Sequence, residues 1–196
     1  MILMYKILTA NTVIQLPLGD IEGELMIDWG DMSEDTVATV ATLTHTYNDA
    51  GLYTVLVSAG EEGASIGRFG LDYQVKGNHC LIALKSWGDF NITSLKKAFA
   101  SCKNLVKVPT TLPCGVTSLA GMFYDTDLFN QDISGWDVST VLDMSSMFYC
   151  ARAFNQDISH WNIANVTTID GMFIGATNFK QDTSHWRVKC TFTNIG

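Results

Sequence analysis

Phe129-Asn130-Gln131-Asp132-Ile133-Ser134-Gly135-Trp136 returns as Phe154-Asn155-Gln156-Asp157-Ile158-Ser159-His160-Trp161, and again as Phe179-Lys180-Gln181-Asp182-Thr183-Ser184-His185-Trp186. The first letters stand at 129, 154 and 179, so each step is 25 residues. A second marker, Met122-Phe123, Met147-Phe148 and Met172-Phe173, keeps the same step and phase. Two markers in register, with no insertion between copies, predict stacked units, each covering its apolar face with the next.

Within a unit the apolar spacing changes. Ile158, Trp161 and Ile163 have the spacing of a short strand, whereas Val166, Ile169, Met172, Phe173 and Ala176 recur at three and four residues, the period of one helix face. Ser139 and Asn165 stand just before such faces, where a short polar side chain caps free amides. Each unit is thus expected to run strand, cap, short helix, loop. Phe154 and Phe179 fall in the return loop and should plug the core between neighbours.

Val141, Met144, Met147, Phe148, Phe154, Asn155, Gln156, Asp157, Ile158, Ser159, Trp161 and Ile163 together resemble the BspA-type leucine-rich repeat, a family of surface proteins of bacteria, protists and some viruses. The last copy departs from that pattern at Lys180 and Thr183. Residues 1–77 have a different grammar: short apolar or alternating runs (5–9, 12–16, 25–29, 53–59) separated by Gly and Asp turns, which predict antiparallel strands. Here Asp28, Gly30 and Asp31, then His45 and Tyr47, then Gly51, Tyr53 and Val55 resemble the polycystic-kidney-disease (PKD) domain, an immunoglobulin-like sandwich, with Met32 where that family usually has Gly.

The expected architecture is α+β and multidomain. An N-terminal antiparallel β-sandwich (PKD/Ig-like, 1–77) precedes a leucine-rich-repeat solenoid (78–196) of strand plus short helix per 25 residues. The glycine-broken stretch 60–78 reads as the junction, 79–90 as a cap strand, and 91–114, 115–139, 140–164 and 165–189 as repeats, the first degenerate. The run from Arg187 to Gly196 opens another unit without completing it, so Phe192 and Ile195 are expected to form a docking end.

Composition sets bounds. The chain of 196 residues is 47% hydrophobic and 16% charged, a folded composition, with net charge −8. Nucleic acid and anionic membrane surfaces are therefore not expected partners, and no run of 18 apolar residues is present to enter a bilayer. Met1-Ile2-Leu3-Met4-Tyr5-Lys6-Ile7 does not read as a signal peptide. Cys80, Cys102, Cys114, Cys150 and Cys190 form an odd set without paired spacing; reduced structural thiols are expected, with a Cys102–Cys114 disulfide as the alternative.

Chemistry-bearing residues have simple readings. Asp132, Asp157 and Asp182 recur as a column that either binds calcium or satisfies loop amides; the second is expected, because calcium needs six or more converging oxygens. Asp28, Asp31 and His45 read as turn and corner residues rather than metal ligands. Asp157, Ser159 and His160 crowd within four residues, a spacing that denies a hydrolytic triad its geometry. No catalytic residue, metal or cofactor is expected. The outward positions Ser134, Gly135 and Asp137, then Ser159, His160 and Asn162, then Ser184, His185 and Arg187 would form a three-by-three grid on the concave side of stacked strands. The expected function is non-catalytic interaction with a protein or glycan on a virion or cell surface, within an oligomer or particle. The alternative is a capsid-decorating or lattice protein whose contacts are with neighbouring subunits.

Overall fold

The computed structural model describes residues 1–37, 43–71 and 75–189. Its first part is antiparallel. Strands β1 (Ile2–Ile7), β3 (Leu18–Asp28), β4 (Glu34–Val37), β6 (Gly51–Phe69) and β7 (Leu81–Ser86) form a sheet in the order β4-β3-β6-β1-β7. A two-stranded ribbon pairs β2 (Thr12–Gln15) with β5 (Thr44–Tyr47). In β1 the alternation is direct: Leu3, Tyr5 and Ile7 are buried while Ile2, Met4 and Lys6 point away.

β6 runs unbroken through Gly60, Gly63 and Gly67, so much of the stretch read as a junction is strand. It is kept in register with β3 past a shift between Gly23 and Leu25. Gly23 sits at φ 80 there, and a Cβ on it would lie 2.4 Å from the Gly63 carbonyl. Within the stretch 79–90 lies β7, which pairs antiparallel with β1 as a strand of the N-terminal sheet and bonds on its other side to Val106 and Lys107. One core runs from Met1 to Trp186.

The repeat region overturns the expected strand-plus-helix solenoid. Among the described residues the only helical segment is a short 3-10 turn, Asn78–Cys80. Neither the Ile158-Trp161-Ile163 stretch nor the Val166–Ala176 stretch is strand or α-helix; both are successive turns. The sheets of the N-terminal part are antiparallel and do not close on themselves, so the chain is nearly all β and turn rather than α+β.

Backbone accounting explains the difference. Ala98, Ala100 and Cys102 donate three residues back, to Leu95, Lys97 and Phe99. The intervening amides of Leu95, Lys97, Phe99 and Ser101 instead donate to Ser118, Ala120, Met122 and Tyr124 of the next unit, at 2.7–2.9 Å. The scheme recurs from Leu119, Gly121, Phe123 and Asp125 to Asp143, Ser145, Met147 and Tyr149, and from Met144, Ser146, Phe148 and Cys150 to Thr168, Asp170, Met172 and Ile174. Turns closing every two residues and a helix both bring every third or fourth side chain to one face, which is why the spacing imitates a helix. Their dihedrals differ. Lys97, Gly121, Ser146 and Gly171 have φ of 57, 60, 54 and 66, and Ser101, Asp125, Cys150 and Gly175 have 58, 56, 55 and 74, a left-handed residue every fourth position that no right-handed helix contains. Ser139 and Asn165 accordingly cap nothing; the Asn165 amide group donates to the Ser139 carbonyl one unit away, at 2.8 Å.

Stacking aligns the rings. Phe99, Phe123, Phe148 and Phe173 form one column with centroids 5.5–5.7 Å apart. Phe129, Phe154 and Phe179 form a second, at 6.1 and 6.0 Å. Cross-contacts of 3.9–4.0 Å tie the two together within each unit. Trp136 and Trp161 stack at 6.5 Å, whereas the ring partner of Trp186 is Phe173. The column starts in the sheet, with Phe69 of β6 lying 5.5 Å from Phe99.

Candidate recognition surface

The N-terminal polar cluster is a turn lock. Asp28 accepts from the Gly30 amide at 2.8 Å, and Asp31 accepts from the Ser33 hydroxyl at 2.5 Å and from the His45 ring at 2.8 Å. Burial pushes the Asp31 carboxyl up, but the Ser33 hydroxyl and His45 outweigh it and hold the carboxyl below its usual range. His45 stacks on Trp29 at 4.7 Å, and the Tyr47 hydroxyl donates to the Trp29 carbonyl at 2.8 Å. The two aspartates are thus engaged by the chain's own donors.

The grid residues lie on turns, not strands. Ser134 and Gly135, Ser159 and His160, and Ser184 and His185 are the corners of three stacked turns, with Gly135, His160 and His185 exposed. The amides of Ser134, Ser159 and Ser184 donate to Asp132, Asp157 and Asp182 at 2.9–3.0 Å, so the aspartate column satisfies loop amides. Asp137 and Asn162 accept from Ser139 and Ala164 in the same manner. Arg187 curls onto the carbonyls of Ser184 and Trp186, and His185 meets the Ser159 carbonyl at 2.9 Å. Local bonds therefore hold most of this face, while the His160 side chain is exposed. Phe192 and Ile195, read as a docking end, lie outside the described residues.

A second face was not singled out by the sequence reading. Where the turn ladder meets the first part of the chain, a groove of about 630 Å³ opens between Leu71, Val75 and Asn78 on one side and Lys96, Lys97, Ser101, Gly121, Tyr124, Ser145 and Ser146 on the other. At Gly121 an added Cβ would lie 3.4 Å from the aliphatic stem of Lys97. Lys96 and Lys97 are exposed, a local positive spot on a chain of net charge −8. Beside them Tyr124 and Tyr149 stack at 4.8 Å and 3°, and Ile174, 59% exposed, continues the stripe. Lys103 and Arg152 pair with Asp125 and Asp127 nearby, bridging three units. A larger hollow beside β7 has Trp87 at its edge, but that indole is buried and donates to the Thr111 carbonyl.

Across the units the positions on the groove face read Lys96, Ala120, Ser145, Asp170 and Lys97, Gly121, Ser146, Gly171, while the core letters repeat. That variation was available in the sequence. It went unread because a helix assignment places those residues around a cylinder instead of along one edge of stacked turns.

Residues 93–195, just over half the chain, match a family model described as Mycoplasma protein of unknown function, DUF285. The chain belongs to the DUF285 family. No curated protein and no solved structure matches it. The DUF285 segment opens at Thr93, beside the first rung of the turn ladder, and takes in the whole repeat stack; the Leu71, Val75 and Asn78 wall of the groove lies before it. In the DUF285 segment and the part preceding it, no described helix is long and apolar enough to cross a membrane.

Proposed function

We propose that the chain is a non-catalytic surface interaction protein: the N-terminal sheets serve as anchor or spacer, and the repeat stack presents a face to a protein or glycan on a virion or cell surface. The observation that carries this reading is the contrast between a fixed core, with two phenylalanine columns in register, and exposed neighbouring positions that change from unit to unit. Sequence resemblance to the BspA-type and PKD families, both common in surface proteins, supports it. The ladder face is the favoured site, since Lys96, Lys97, Ser101, Tyr124, Ser145 and Ser146 line a groove there, with the Tyr124–Tyr149 stack beside it.

The test is binding of labelled protein to a glycan array and to intact cells. Loss of binding in Lys96→Glu/Tyr124→Ala, with His160→Ala/His185→Ala unaffected, supports the groove. The reverse pattern moves the site to the grid. Absence of binding by the folded wild type on every surface favours the second reading, a lattice or capsid-decorating block, for which the partly buried rings of Phe173 and Phe179 speak.

A further inference from the structure

The turn ladder is one ring short at its first unit. Phe99 stacks on Phe123 at 5.7 Å, and the Ser101 amide donates to the Tyr124 carbonyl at 2.7 Å, so Ala100 is the counterpart of Tyr124. Along the stack that position reads Ala100, Tyr124, Tyr149 and Ile174. Tyr124 and Tyr149 lie 4.8 Å apart and 3° from parallel. A tyrosine at 100 would extend their stack by one ring, and alanine leaves that place to the groove of about 630 Å³ that Ala100 and Tyr124 both line.

Tyr149, in the later unit, covers one face of the Tyr124 ring. The opposite face is turned toward the first unit, on the side of the groove, and Tyr124 is 39% exposed. The slot is built on a fixed backbone. Ser101 is held by its amide bond to Tyr124, and the Asn78 side chain donates to the Ala100 carbonyl at 3.1 Å, which ties the wall of the groove to the rung.

The walls decide what kind of ring belongs there. Leu71, Val75 and Ala120 supply apolar surface, whereas Ser101, Ser145 and Ser146 supply hydroxyls. A phenyl ring from a peptide would take water from those hydroxyls and return no hydrogen bond. A pyranose has both halves. The C–H bonds of one face carry the partial positive charge that suits the negative face of an aromatic ring. Its rim of hydroxyls donates and accepts, as serine hydroxyls do.

We infer that the groove takes one pyranose ring of a glycan, seated at the Ala100 rung with a C–H face on Tyr124 and its hydroxyls toward Ser101, Ser145 and Ser146. This rests on the groove being the binding face and narrows its ligand to a sugar.

The test is saturation-transfer NMR on the full chain with methyl β-galactoside, methyl β-glucoside and methyl β-N-acetylglucosaminide at millimolar concentration. At least one of them receives saturation, strongest at the protons of one ring face. Ala100→Tyr fills the rung from within and weakens that binding by about tenfold or more, whereas Ala100→Ser leaves it within about twofold. Tyr124→Phe keeps the binding and Tyr124→Ala loses it. Near-UV circular dichroism checks that Ala100→Tyr is folded; if it is not, the Tyr124 pair decides. Unchanged binding in folded Ala100→Tyr or in Tyr124→Ala overturns the inference. So does silence from all three sugars, or saturation of N-acetylphenylalaninamide in their place. Cell binding lost in Lys96→Glu/Tyr124→Ala but kept in folded Ala100→Tyr would leave the groove as the interaction face and refute the sugar slot, which separates the two readings.

Discussion

Phe148 and Phe173 occupy the same position in successive units, with ring centroids 5.7 Å apart and planes 3° from parallel. Phe148 also meets Phe154 at 3.9 Å, so each ring is shared between its own unit and the next. Phe148→Ala should therefore cost about 3–5 kcal/mol, the range for a fully buried phenylalanine whose cavity cannot collapse. Phe173→Ala should cost clearly less, since that ring is only partly covered. Urea unfolding of the two variants checks the order; equal losses would mean that the column does not carry the stack.

Ser146 has φ 54 where Gly171 has φ 66 one unit later. A left-handed serine is strained by about 1–2 kcal/mol, and the extra freedom of glycine in the unfolded chain returns part of that. Ser146→Gly should then be neutral or raise stability by up to about 1 kcal/mol. In an α-helix the same change would lower stability by about 0.5 kcal/mol. The sign of the shift in thermal midpoint separates the two backbones.

Met32 stands fully exposed at φ 70, two residues after Gly30 at φ 78. Met32→Gly should stabilise the turn modestly, because no contact is lost and the strain is relieved. Gly30→Ala should do the opposite, as its Cβ would lie 2.6 Å from the Thr54 carbonyl. Calorimetry on the pair is the measurement, and a gain for both would contradict the turn geometry.

The Ser134 amide beside Asp132 holds that carboxyl below the usual range, and the bonds from Ser159 and Ser184 do the same for Asp157 and Asp182. A carboxyl that ionises more readily folded than unfolded adds stability above its unfolded pKa, near 4. That contribution fades as pH falls through the lowered native values. Stability should thus be flat in this respect above about pH 5 and decline below about pH 4. A triple Asp132→Asn/Asp157→Asn/Asp182→Asn variant should show a shallower acid decline, since Asn still accepts the bond but does not titrate. An unchanged acid slope would exclude the column as its source.

The two regions differ in how legible they were. Alternation in β1 and the Gly30-Asp31, His45 and Tyr47 corner could be read directly, because a strand's pattern and a turn's chemistry are local. The 25-residue step could be read too, and Phe123, Phe148 and Phe173 stack at that interval. What could not be read was the conformation inside a unit: Val166, Ile169, Met172, Phe173 and Ala176 satisfy helical spacing while the backbone folds as serial turns. The groove was hidden with it, since Lys96, Lys97, Tyr124 and Tyr149 fall on one face only in the turn conformation.

The sequence by itself determined which side chains repeat, at what interval, and which of them are buried, because apolar periodicity records burial whatever backbone produces it. Only the tertiary structure decided where the backbone bonds go. Whether the amide of Phe123 bonds within its own unit or reaches Met147 in the next depends on a neighbour brought alongside by folding, and that choice made the units turns.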